Sequence, residues 1–88
     1  MATNQEKNLM RSLLLLQDEK EVAFFCRDLM TPAEISELSL RLEVANQLNQ
    51  GKTQRAVAKN TGASIATVTR VNQWLKRGKG GYKLVLER

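Results

Sequence analysis

Between Thr53 and Lys76 the chain runs TQRAVAKNTGASIATVTRVNQWLK, a stretch whose groups make hydrogen bonds and neutralise charge but do not make or break covalent bonds. No histidine occurs anywhere in the 88 residues. No glycine-rich phosphate loop opens a helix, no paired carboxylates mark an evident pocket, and no cysteine sits in an activating arrangement, so the sequence argues against an enzyme. The single cysteine, Cys26, cannot close an intrachain disulfide, and without histidine a zinc site would need an unusual ligand set. Cys26 is expected to be a small buried apolar residue. Neither a metal nor a resident cofactor is expected.

The spacing within that stretch is informative. Thr53 is placed to cap a helix from Gln54 to about Asn60, with Val57 and Ala58 inward. Thr61-Gly62-Ala63 supplies a tight turn, and Ser64 caps a second helix from Ile65 to about Lys76. Ala58 must be small where the helices cross, Gly62 can take a positive φ, and Val68 and Val71 fill the wedge, with Leu75 inward as well. This is the outline of a helix-turn-helix reader of DNA, an ordinary helical hairpin being the plain alternative. Ser64, Ile65, Ala66, Thr67, Thr69, Arg70 and Gln73 are left on the outer and flanking faces. Because the N-terminal end of such a helix enters the major groove, Ile65, Ala66 and Thr69 are candidates for base edges and thymine methyls. Lys52, Gln54, Arg55 and Lys59 lie where phosphates would pass, and contacts there position the protein without reading sequence.

Charge separates the chain in the same place. Residues 1–50 hold five Lys/Arg and eight Asp/Glu, a balance of −3, whereas residues 51–88 hold nine Lys/Arg and one acid, a balance of +8. A basic half that coincides with the two-helix pattern points to a polyanion. A hydrophobic content of 42% with only 5% aromatic residues and one proline points to an all-α protein. A chain this short forms one domain at most, of a size at which association commonly supplies missing core.

The elements that must hold the two motif helices lie upstream. Residues 1–8 are polar and are expected to fray, with a first helix running from Leu9 through Leu13 and Leu16, widened by Leu14 and Leu15. A second runs from about Asp18 to Leu29, with Val22, Phe25, Cys26 and Leu29 at helical spacing and Phe24 and Phe25 available to pack between subunits. Residues 1–30 are therefore expected to be dimerisation helices, and residues 31–88 the helix-turn-helix region with a C-terminal tail. Thr31-Pro32-Ala33-Glu34 has the form of a capping box with proline at the first helical position. The helix it opens is expected to face the core with Ile35, Leu38, Leu42, Ala45 and Leu48, with Leu40 and Val44 off the main stripe, and to end near Asn49-Gln50-Gly51. The tail YKLVL, Tyr82–Leu86, after a flexible basic link, fits a short helix or a strand, with helix preferred. The only uninterrupted leucine run, Leu13–Leu16, is too short for a signal peptide or a membrane span, so a cytoplasmic protein with no membrane partner is expected.

Thr31-Pro32-Ala33-Glu34, the long helix with Arg41, Gln54-Arg55, and Gly62-Ala63-Ser64-Ile65-Ala66-Thr67-Val68-Thr69-Arg70 together resemble the bacterial Trp repressor family over about residues 31–77. The resemblance implies an all-α fold of about six helices, an intertwined homodimer with a reading helix at each end, and repression of transcription at a palindromic operator. In tryptophan-responsive members two arginines flank the bound amino acid, and they match Arg41 and Arg70. Those members have glycine directly after the second arginine and serine three residues further on, where this chain has Val71 and Trp74. Trp74 removes a hydrogen bond to the ligand and adds on the order of 150–250 Å² of aromatic surface. The expectation is an effector region of Arg41, Arg70, Val71 and Trp74 that Trp74 partly fills itself. L-tryptophan is then an unlikely co-repressor, another small molecule stays possible, and the chain sits closer to the repressor-like branch of the family than to its amino-acid sensor. Two other readings fit the residues alone: a helical adaptor whose basic half binds an acidic protein, and the DNA-recognition arm of a mobile-element protein.

Overall fold

The computed structural model describes residues 2–88. Six helices follow one another: α1 (Asn4–Leu13), α2 (Glu19–Leu29), α3 (Pro32–Asn49), α4 (Gln54–Thr61), α5 (Ile65–Arg77) and α6 (Gly81–Leu86), with no strand among the described residues. The chain divides into two compact units, one ending at Ile35 and one spanning Ser36–Arg88.

In the first unit, α1 starts and stops earlier than the leucine spacing suggests. Thr3 and Glu6 form a complete capping box, in which Glu6 N donates to Thr3 Oγ1 at 3.1 Å and Thr3 N donates to Glu6 Oε1 at 3.3 Å. The box satisfies two donors that a helix start otherwise leaves orphaned, so the polar residues expected to fray belong to the helix. Leu14 and Leu15 lie in a turn beyond it. Asp18 caps α2 by accepting from Glu21 N at 2.8 Å, and Gln17 N donates to Glu21 Oε1 at 2.9 Å. Neither helix buries a residue. Leu14 is 84% exposed, Leu15 77% and Phe24 59%, and Cys26 is half-buried, not buried as its type suggested.

The second unit has a small core of Val44, Ala45, Val57, Ala63, Val68 and Val71, against which Leu40, Leu48, Ala58, Tyr82 and Leu86 pack. The inward face of α3 differs from the expected stripe. Val44 and Ala45 are fully buried and Leu40 and Leu48 pack beside them, while Leu38 and Leu42 remain 46% and 45% exposed. Helical spacing groups Leu40, Val44 and Leu48 equally well, because α3 is apolar round most of its circumference; the neighbours, and not the spacing, choose the face.

The ends are as the local chemistry dictates. Thr31 and Glu34 exchange the two bonds of a capping box, Thr31 N donating to Glu34 Oε1 at 2.8 Å and Glu34 N to Thr31 Oγ1 at 3.1 Å. At the other end Gly51, with φ +91°, closes a Schellman motif in which Gly51 N donates to Leu48 O and Lys52 N to Gln47 O. The tail is helical, and Tyr82 and Leu86, one turn apart, lay its inner side on the core. Among the described residues no helix is long and apolar enough to cross a membrane.

Gly62 terminates α4 in the left-handed region at φ +79°, and nothing lies within 4 Å of where a Cβ would be. The cost of a side chain there is purely conformational. Gly62→Ala is expected to lose about 1 kcal/mol of unfolding free energy and Gly62→Asn less, since asparagine tolerates that region. Urea denaturation checks this, and an alanine variant as stable as the parent would contradict it.

Candidate nucleic-acid interface

The turn between α4 and α5 is held by side chains as well as by Gly62. Thr61 Oγ1 donates to Val57 O at 2.7 Å and accepts from Ala63 N at 3.2 Å. Ser64 caps α5, accepting from Thr67 N at 3.1 Å, and its hydroxyl lies 3.1 Å from Thr67 Oγ1. Thr53 caps α4 in the same way, through Ala56 N at 3.1 Å. With both starts capped, Val57 from α4 and Val68 and Val71 from α5 meet with no residual exposure, and Leu75 completes the inner stripe of α5 at 7%. A polar series ties α4 to α3: Asn60 Nδ2 donates to Gln47 Oε1 at 3.2 Å, and Gln47 Nε2 donates to Glu43 Oε2 at 2.9 Å.

That inner stripe decides what faces outward. Ser64, Ile65, Ala66, Arg70 and Gln73 are exposed, Ile65 at 55%. Thr67 is half-buried, engaged with the cap. Lys52, Arg55 and Lys59 are exposed before and along α4. Gln54 and Thr69, expected on phosphate and base respectively, are half-buried and bonded to each other, Thr69 Oγ1 donating to Gln54 Oε1 at 3.1 Å. The NH2 of the Gln54 amide is left as a donor, which suits an acceptor such as a phosphate oxygen.

Electrostatics favour an anion across the whole surface. No Asp or Glu stands between Glu43 and Glu87, and the first turns of α4 and α5 hold no acid. The partial positive charge of both helix starts is therefore not offset by a nearby carboxylate. An exposed N-terminal turn bearing Ser64, Ile65 and Ala66, flanked by cations, can enter a groove and offer methyl groups and small polar groups to base edges.

The four residues expected around an effector are not equivalent. Val71 is sealed in the core, because it lies on the same inward stripe as Val68 three residues earlier. Arg70 is exposed. The Arg41 guanidinium lies over the Trp74 ring, its carbon 5.5 Å from the indole centroid, and Arg41 Nε lies 3.4 Å from Glu37 Oε1. Glu37 is a residue that the reading of the sequence missed. Its position four residues before Arg41 was the available signal, whereas no local pattern links Arg41 to Trp74.

Two short helices crossing at a glycine turn, with a capped, acid-free second helix presented to solvent, define a helix-turn-helix protein. The comparisons with known proteins agree: the family model described as Trp repressor protein matches residues 4–88. The chain is 42% identical over 80 residues to the uncharacterised protein YerC of Bacillus subtilis (strain 168), covering 91% of this chain and 77% of that one. A TrpR-like protein from Eubacterium eligens ATCC 27750 superposes with a TM-score of 0.92 at 42% identity, over 98% of this chain and 89% of the other. A candidate Trp repressor from Staphylococcus aureus gives 0.92 at 36% identity, over 99% and 87%. The chain belongs to the Trp repressor family, and the fold and family make it a DNA-binding regulator.

The Thr69–Gln54 bond carries a prediction about stability. Thr69→Val and Gln54→Ala should each cost about 1 kcal/mol, and the double variant should fall short of their sum by roughly 0.5–1.5 kcal/mol. A double-mutant cycle by urea denaturation measures this, and strict additivity would remove the bond from the account.

Proposed function

We propose that the protein represses transcription as a homodimer bound to a palindromic operator, with each α5 in the major groove of a half-site. The observation that carries this reading is the outward face of α4–α5: Ser64, Ile65 and Ala66 are exposed at a helix start, Lys52, Arg55, Lys59 and Arg70 are exposed too, and the sequence holds no acid between Glu43 and Glu87. In this reading Ile65, Ala66 and the flanking Thr67, Thr69 and Gln73 provide the base-facing surface, and Lys52, Gln54, Arg55, Lys59 and Arg70 meet the backbone.

Dimerisation is supported by the apolar surface of the first unit. Helices α1 and α2 bury nothing, and Met10, Leu13, Leu14, Leu15, Val22, Phe24 and Leu29 are all substantially exposed. Side chains of this size gain about 1.5–3 kcal/mol each on full burial, so a second copy is the natural cover. Two reading helices related by a twofold axis then require half-sites about 34 Å apart, one turn of DNA. Free L-tryptophan is not the co-repressor in this reading. The support is that Arg41 already lies over the ring of Trp74 and that Val71 belongs to the core.

Selection of bound duplexes from a random pool tests the whole reading. The expected product is an inverted repeat with half-sites one helical turn apart, and a chain that recovered no enriched sequence would refute it. Salt dependence tests the phosphate contacts. If Lys52, Arg55, Lys59 and Arg70 of both subunits each meet a phosphate, log affinity should fall against log salt with a slope of about −7. Arg55→Ala should make that slope shallower by roughly 2 without altering the preferred sequence. Isothermal calorimetry is expected to find no micromolar binding of L-tryptophan.

A further inference from the structure

Arg41 sits on α3 and Trp74 in the last third of α5, and they meet through the flat face of the indole. A guanidinium within about 6 Å of a ring centroid is attracted by the ring's quadrupole, and Arg41 Nε also lies 3.4 Å from Glu37 Oε1, one turn earlier on the same helix. Glu37, Arg41 and Trp74 thus form a series running from one side of α3 to the outside of α5. Trp74 is 42% exposed, so it gives up much of the burial that would justify an indole as core filling. What it contributes is a face on which a charged, planar group can lie.

Its location matters because α5 is a single uninterrupted helix, so that its two ends share one axis like a rod. The core grips that rod through Val68 and Val71 near its middle and Leu75 near its end. The chain leaves the helix immediately afterwards at Gly78, whose N donates to Trp74 O at 2.9 Å and where an added Cβ would collide with that same carbonyl oxygen. Trp74 lies nine residues, or about 13 Å of helix rise, beyond Ile65, too far along the rod to share a groove contact with the N-terminal turn. Rotation or tilt permitted at Trp74 is nevertheless transmitted to Ile65 and Ala66. Nearer the front of the helix the Thr69–Gln54 bond limits the same freedom from the side of α4. The stack limits it from the side of α3.

We propose that Trp74 is a positioning residue for the reading helix: clamped by the Glu37–Arg41 pair, it sets the attitude of α5 without itself touching DNA. The inference rests on the DNA-binding reading above. It deepens that reading by assigning the placement of the helix to contacts within the chain.

The experiment compares the full-length protein with Trp74→Phe, Trp74→Leu, Arg41→Ala and Arg41→Lys, using the duplex that wild-type protein selects. Phenylalanine keeps a π-face, and leucine keeps apolar bulk without one. Trp74→Phe should bind within about twofold of wild type. Trp74→Leu and Arg41→Ala should each bind on the order of tenfold more weakly, since a stack of this kind corresponds to roughly two- to fivefold in each of two subunits. Arg41→Lys, charged but unable to stack as a plane, should fall between. The slope of log affinity against log salt should stay that of wild type, because neither residue meets a phosphate. Trp74 is the only tryptophan, so the emission spectrum of Arg41→Ala without DNA should shift and that of Arg41→Lys should shift less. Urea denaturation must find the leucine variant folded under the binding conditions.

Equal affinity for the leucine and wild-type proteins would overturn the inference while leaving the DNA-binding reading intact. So would a loss of affinity that followed the folded fraction alone, or a leucine variant no weaker than the phenylalanine one. Wild-type protein that bound no duplex would overturn both.

Discussion

The whole arrangement depends on how closely α4 and α5 can cross. The four largest fully buried side chains are all valines, Val44, Val57, Val68 and Val71, and the crossing is lined with Ala58 and Ala63. Valine has one strongly preferred rotamer in a helix, so a wedge built from it leaves little choice of packing. Once Val68, Val71 and Leu75 turn inward, the 3.6-residue repeat turns Ala66, Arg70 and Gln73 outward, while Ser64 is exposed as the cap that precedes the helix. The candidate reading surface is in this sense the complement of the core. A small core also makes each of its contacts count, and at Gly62, in the turn between the two helices, a side chain would be resisted by the backbone itself.

Around that apolar wedge the second unit uses polar links where a larger protein would use more core. The Asn60–Gln47–Glu43 series joins α4 to α3, Thr69–Gln54 joins α5 to α4, and Glu37–Arg41–Trp74 joins α5 to α3. Individually such contacts contribute about 1 kcal/mol or less. Their value lies in direction: a hydrogen bond or a stacked guanidinium prefers one geometry, whereas apolar burial is indifferent to modest sliding. A helix that must meet a groove in register gains more from the former.

The first unit presents the opposite balance. Its helices are well capped, by Thr3 with Glu6 and by Asp18, yet they bury no residue, so their local order is not matched by tertiary cover. The exposed leucines and Phe24 have the surface of a core without its other half. In the proposed dimer, folding and pairing would draw on the same apolar area.

Helix limits and the turn were legible residue by residue wherever their cause is local: Thr31 with Glu34, Gly51, Thr53, Gly62 and Ser64 all act on backbone groups within four or five positions of themselves. Where the reading of the sequence went astray locally, at Thr3 with Glu6, the signal was present and leucine spacing was followed instead. The exposure of Ser64, Ile65, Ala66, Arg70 and Gln73 was also legible from the inward valine stripe and the cap, whereas Thr67 and Thr69, read with them, are half-buried. The side of α3 that meets the core was not, since Leu38 and Leu42 are as apolar as Leu40 and Val44 and only a partner in space distinguishes them. Nor was the bond from Thr69 to Gln54, and Arg41 was set beside Trp74 only by the family resemblance. Those pairs lie 15 and 33 positions apart in the chain, and a contact at that range is set by how three helices cross, which no periodicity or cap along one of them encodes.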